Sequence, residues 1–200
     1  MEIEVGQIAQ AAAILRRGGL VAFPTETVYG LGANALDTAA VRRIFEVKQR
    51  PATSPLIVHA ASETMARAYA AVWSPAARDL ARRFWPGPLT IIVPASARVP
   101  LKLTGNTGRL ALRQSRSKVA NQLIALLNQP LISTSANISG SPTCRSGIDV
   151  FGMMDGRVDL VIDGGMCNGA GATTVDITEP SWRLIRAGAI EEKEIAECLQ

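Results

Sequence analysis

The sequence predicts an α/β fold in which helices pack on one twisted, mixed, open sheet. Three observations carry that reading. Short runs of β-branched and leucine residues alternate with segments of helical period. Apolar residues make up 48% and charged residues 19% of the 200 residues, enough for a substantial core. Aromatics are only 4%, so alanine and branched aliphatics must fill that core, which suits helices laid on a sheet. No internal repeat or low-complexity linker interrupts the pattern, and residues 1–200 are expected to form one domain.

In chain order, Gly6 to Arg17 has Ile8, Ala11, Ala12 and Leu15 at helical spacing, closed by Gly18-Gly19. Leu20 to Phe23 reads as a short buried strand that stops at Pro24. A polar, glycine-punctuated loop follows to Gly32, and Asp37 or Thr38 caps a helix with Val41, Ile44, Phe45 and Val47 on its apolar face. Leu56 to Val58 is the next strand, and Ser62 opens an alanine-rich helix to Val72. Ser74-Pro75 pairs an N-cap with proline at the first helical position, predicting a helix to Phe84. Trp85-Pro86-Gly87-Pro88 breaks it before a strand over Leu89–Val93. Leu110 to Leu112 is a strand ending on Arg113, Lys118 to Leu127 a helix, and Leu131 to Thr134 a strand that opens into the loop Ser135 to Pro142. Strands over Leu160–Ile162, Thr173–Ile177 and Trp182–Ile185 and a helix over Glu191–Cys198 complete the chain, with Gly164 to Gly171 expected as a surface loop.

Composition excludes several classes of function. Three cysteines without CxxC spacing and one histidine, His59, make neither a zinc site nor a disulfide framework. The N-terminal stretch lacks the apolar core of a signal peptide, and no apolar run approaches the ~18 residues of a membrane span, so a soluble, cytoplasmic protein without membrane contact is expected. Paired carboxylates, a Ser/His/Asp order and a Walker A sequence are all missing. What the loops offer is hydroxyls, an amide and cations, around Thr25–Gly32, Lys48–Ser54, Arg109–Arg113, Ser133–Gly140, Ala172–Thr174 and Arg186. Backbone N–H groups and hydroxyls cradle phosphate oxygens, and guanidinium forks grip phosphate or carboxylate. The net charge of +4 also fits a polyanionic ligand such as a nucleotide or RNA.

The segments PTETVYGLG, KQRP, SPLIVH, WPGPLT, STSANISG and LIRAG, in this order, resemble the YrdC/Sua5 family. The likeness runs from Leu15 to Gly188, and the length resembles the family's single-domain form. The resemblance implies a YrdC-like fold and threonylcarbamoyl-adenylate synthesis: L-threonine, bicarbonate or CO₂, and ATP give threonylcarbamoyl-AMP and pyrophosphate. Other proteins then transfer the threonylcarbamoyl group to transfer RNA. By the same resemblance Lys48, Arg50, Ser54, Ser135, Asn137, Arg145 and Arg186 bind ATP. Thr27, Tyr29, His59, Arg113 and Ser133 hold threonine, with Arg113 on its carboxylate and Tyr29 walling the pocket. Mg²⁺ arrives on the ATP phosphates, and no protein metal ligand is expected.

Three positions depart from the family pattern. Ala172 stands where a serine is common, and Thr173 is expected to supply the missing hydroxyl to threonine. Arg109 replaces a frequent threonine, which puts an ATP role there in doubt, and Gln114-Ser115 replaces a proline-stiffened turn after Arg113. An RNA-binding or ribosome-maturation module is the alternative, with weak RNA or tRNA contact on a basic face. It is disfavoured by the scarcity of aromatics for base stacking. A carbamoyl-adenylate domain of hydrogenase maturation is a third reading, but its accompanying segments are missing.

Overall fold

A computed structural model describes residues 5–200. Nine strands join into one sheet in the order β7-β1-β2-β6-β3-β5-β4-β8-β9. The strands are β1 (Val21–Pro24), β2 (Tyr29–Asn34), β3 (Ile57–His59), β4 (Leu89–Pro94), β5 (Arg109–Arg113), β6 (Leu131–Ser135), β7 (Leu160–Val161), β8 (Thr173–Asp176) and β9 (Arg183–Arg186). Three pairs are parallel, β1/β7, β3/β5 and β4/β8, and the other five antiparallel, so the sheet is mixed as the intermixed pattern predicts.

Two helical layers sandwich the sheet. Helices α1 (Val5–Arg16) and α5 (Lys118–Leu127) cover one face, where Ile8, Ala11 and Leu15 meet Leu123 and Ile124 over Val21, Phe23 and Leu131. The other face carries α2 (Thr38–Lys48), α4 (Pro75–Phe84), α6 (Gly147–Met154) and α7 (Glu192–Cys198). There Val41, Ile44, Leu80, Val150 and Ile195 cluster with Ala22, Leu31, Val58, Leu112 and Ile132. Val21 and Phe23 point one way and Ala22 the other, as the two-residue period of a strand requires.

The caps read from sequence hold. Asp37, Ser62 and Ser74 each accept a backbone N–H at the start of α2, α3 (Glu63–Arg67) and α4, and Ser117 caps α5 in the same way, beyond the caps read from sequence. Three expectations need correction. Tyr29–Asn34 is a strand, not part of a loop. A Cβ on Gly32 would lie 2.6 Å from the Phe23 ring, and one on Gly30 would lie 3.3 Å from it, so these glycines let two strands close over a phenyl group. Residues 147–154 form a helix that sequence reasoning passed over, although Ser146 and Asp149 make a reciprocal capping box. The helix begun at Ser62 ends at Arg67, because Tyr69 O and Ala70 turn to join Ser96 and Ala95 beside β4.

Candidate functional site

Strand alternation builds the site. On β6, Leu131 lies under α1 and α5, while Ser133 and Ser135, further along the same face, are uncovered. Ile57 and His59 of β3 and Arg113 of β5 join them, His59 and Arg113 being directly paired in register. Together with Thr25, Thr27 and Val28, the Thr143–Arg145 turn, Gly169, Gly171, Ala172 and Arg186, they line a cavity of ≈ 300 Å³. Ligand space therefore sits on the part of a sheet face that the helices leave bare.

The Thr25–Val28 loop is held rigid from within. Thr25 Oγ1 donates to Val28 O at 2.6 Å and lies 3.0 Å from Thr27 Oγ1. Gly169 presses on this loop so closely that a Cβ there would be 1.9 Å from Glu26 O. Glu26 points away from the loop toward β5. Its carboxylate accepts from Arg113 Nη2 (2.6 Å), Ser115 Oγ (2.5 Å) and Arg116 N (3.0 Å). Burial raises the pKa of Glu26, but Arg113 and these hydrogen bonds outweigh it and hold the carboxyl at about 2. Arg113 also donates from Nε to Gly87 O at 3.0 Å, which leaves Nη1 without a protein partner among the described residues. The Gln114-Ser115 turn is well tied, since Gln114 O accepts from Gly87 N and Ser115 holds Glu26.

His59 is buried, and its Nδ1 has no hydrogen-bond partner among the described residues. Burial, then the Arg113 charge, pulls its pKa down to about 3, with Glu26 opposing, so the ring is neutral at physiological pH. Arg50, Arg113, Arg145 and Arg186 bring four guanidinium groups to the cavity, and among the described residues no carboxylate lines it. Arg50 is half-buried with Nη2 on Pro55 O, and Arg186 stands on the rim with Nε on Ala172 O. Burial lowers the pKa of both, and Arg113 adds to the effect at Arg186. Neutral imidazole, hydroxyls and four cations make a cavity matched to phosphate and carboxylate oxygens.

Of the residues expected from sequence, Thr27, Arg50, His59, Arg113, Ser133, Ser135, Arg145 and Arg186 line the cavity together. Five do not. Lys48 is buried beneath the Ser135–Asn137 loop, its ammonium donating to Ser135 O, Asn137 O (2.6 Å) and Asn137 Oδ1. Burial, then Arg50, pulls its pKa down to about 8. Asn137 shapes the same loop through Nδ2 on Ile138 O and Ser141 O. Ser54 caps a local turn through its N–H on Pro51 O. Tyr29 is no wall of the pocket, because its hydroxyl bonds Asp163 and Gly165 O on the far side. Thr173 does not replace a serine at 172, since its fully buried hydroxyl exchanges bonds with Ile190 N and O. Arg109 lies outside the cavity, paired with Asp176 and Glu179.

Sequence reasoning missed Glu26, Thr143 and the glycines of the Gly164–Gly171 segment, which lines the cavity at Gly169 and Gly171 instead of lying apart as a surface loop. Only Glu26 left a signal, as the one charge in an otherwise neutral polar loop.

Comparison with known proteins identifies the family. The sequence model described as "Telomere recombination", for the Sua5/YciO/YrdC domain, matches residues 13–188. Threonylcarbamoyl-AMP synthase of Pyrococcus abyssi is 46% identical over 198 residues, covering 98% of this chain and 58% of that protein. The synthase of Bacillus subtilis is 40% identical over 191 residues, covering 94% and 55%. The crystal structure of P. abyssi Sua5 complexed with L-threonine superposes with a TM-score of 0.96 at 45% identity, over 100% of this chain and 59% of that one. The chain thus spans about half the length of these relatives. With the family match running through nearly all of the fold and through every cavity residue, the chain belongs to the Sua5/YciO/YrdC family.

Proposed function

We propose that this chain is a threonylcarbamoyl-AMP synthase, a nucleotidyltransferase that joins L-threonine, bicarbonate or CO₂ and ATP and releases pyrophosphate. The observation that supports it is the convergence of four guanidinium groups, a neutral imidazole and a row of hydroxyls on one cavity, in a chain 46% identical to a protein of that name. Threonine carbamate is an anion that must attack an anionic α-phosphate. Fixed cations relieve that repulsion, and positioning supplies the rest of the rate. Arg50, Arg145 and Arg186 take the triphosphate, while Arg113, through its open Nη1, takes the threonine carboxylate. His59, neutral at working pH, accepts or donates one hydrogen bond to the amino acid.

Lys48 acts from behind the cavity, holding the loop that presents Ser135. Mg²⁺ comes with ATP in this reading, and the hydroxyls that line the cavity suit an ion held chiefly by phosphate oxygens and water. When bound, it neutralises phosphate charge. The product is handed to tRNA-modifying proteins, and the setting is cytoplasmic. No described helix is long and apolar enough to cross a membrane. RNA binding as the main role finds little support, since Phe151 is the only aromatic among the large exposed apolar side chains described.

The test is to incubate the protein with ATP, labelled bicarbonate and L-threonine. Threonine-dependent pyrophosphate release with label entering an adenylate is the expected result. Pyrophosphate release that ignores threonine would overturn the reading.

A further inference from the structure

Glu26 is the carboxylate that meets a cavity guanidinium, and the reaction itself uses no such group. Arg113 is 5% exposed, so its charge is nearly desolvated, and an unpaired charge in that position is costly. Glu26 meets it at 2.6 Å and is itself fixed by Ser115 Oγ and Arg116 N, so neither partner can swing away alone. Arg116 is anchored in turn by its Nε on Pro86 O. The remaining cations, Arg50, Arg145 and Arg186, have no carboxylate within salt-bridge distance among the described residues. Four bare guanidinium groups would hold any small anion, whereas one of the four is here half-neutralised from within.

We propose that Glu26 is a specificity-determining residue: a resident carboxylate that occupies one arm of the Arg113 fork, leaving the other arm to an incoming carboxylate and turning simple anions away. A substrate carboxylate then meets only the Nη1 end of the guanidinium, which narrows its orientation, and it gains less from charge alone than it would at a free fork. An anion without further groups to bind the hydroxyls gains too little to stay. This inference rests on reading the Arg113 end of the cavity as the amino-acid carboxylate subsite.

The experiment uses Glu26→Gln, Arg113→Gln and the double variant, with acetate, L-threonine and L-threoninamide as probes, followed by calorimetry and thermal unfolding. Glu26→Gln is expected to bind acetate about ten-fold or more tightly than the wild type, because the anion now relieves the uncompensated guanidinium. Its Tm falls without anion and recovers with acetate but not with threoninamide. In turnover, kcat and the KM for threonine fall together, as for a substrate held tightly in poor orientation. The double variant regains Tm and loses the acetate gain. Should Glu26→Gln fail to fold, the double variant must still fold. Acetate affinity unchanged or weakened in a folded Glu26→Gln, or a Tm loss that Arg113→Gln does not relieve, would reduce Glu26 to a structural tie and overturn the proposal. A gain for acetate in Glu26→Gln while the wild type ignores threonine would overturn the proposed function and leave the role of Glu26 standing.

Discussion

Thr173 shows how a hydroxyl beside a cavity differs from one in it. Its side chain both donates to Ile190 O (2.8 Å) and accepts from Ile190 N (2.9 Å), with no exposed surface. Thr173→Val strands both backbone groups, so stability should fall by about 1–3 kcal/mol while the threonine KM stays level. Urea unfolding beside steady-state kinetics checks both halves. His59 makes a pH prediction of definite sign. Its folded pKa, about 3, lies below the ordinary 6.5, so between these values the unfolded chain binds the proton that the folded one refuses. The stability that the neutral ring contributes is complete above pH 6.5 and is lost as pH falls toward 3. His59→Gln should remove that part of the acid slope, visible as a shallower fall of unfolding free energy over the window. An unaltered slope would mean that His59 takes up a proton in the folded state.

At the scale of elements, the informative case is β2. Its residues Tyr29-Gly30-Leu31-Gly32 read as loop because two glycines break the apolar alternation, yet they pair with β1 on one side and β6 on the other. A glycine in a strand marks a place where something else needs the room, and here it is the Phe23 ring. Gly32→Ala should cost about 1–3 kcal/mol by overpacking. Adding Phe23→Leu should return part of it, a coupling measurable by a double-mutant cycle on chemical denaturation. Helix α6 escaped notice for another reason. It is eight residues long with Ile148 and Phe151 on its exposed side, so its apolar pattern does not mark the buried face.

For the whole molecule, the cavity depends on a long return of the chain. Gly169 sits against the Thr25–Val28 loop, and Gly171 leads from it to Ala172, whose carbonyl accepts from Arg186, so the wall joins segments far apart in sequence. The Cβ introduced by Gly169→Ala would meet the Glu26 carbonyl at 1.9 Å and force the two segments apart. We expect a stability loss of about 1–3 kcal/mol with activity reduced well beyond what that loss explains, since the cavity wall itself opens. Activity at a temperature where the variant remains fully folded separates the two effects.

The sequence by itself determined the α/β class, three of the helix caps, the membership of most strands and eight of the thirteen expected cavity residues. These rest on local signals: period, cap chemistry and motifs whose residues act where they stand. Tertiary structure alone decided which polar groups face the cavity. Lys48, Tyr29 and Thr173 have the same chemistry as the lining residues, but each is consumed by a backbone or carboxylate partner distant in sequence, while the Asn137 amide is spent on carbonyls of its own loop. A buried polar group must find its partner within the protein, and which partner lies in reach is settled by strand register and loop closure, not by the residue's own neighbours.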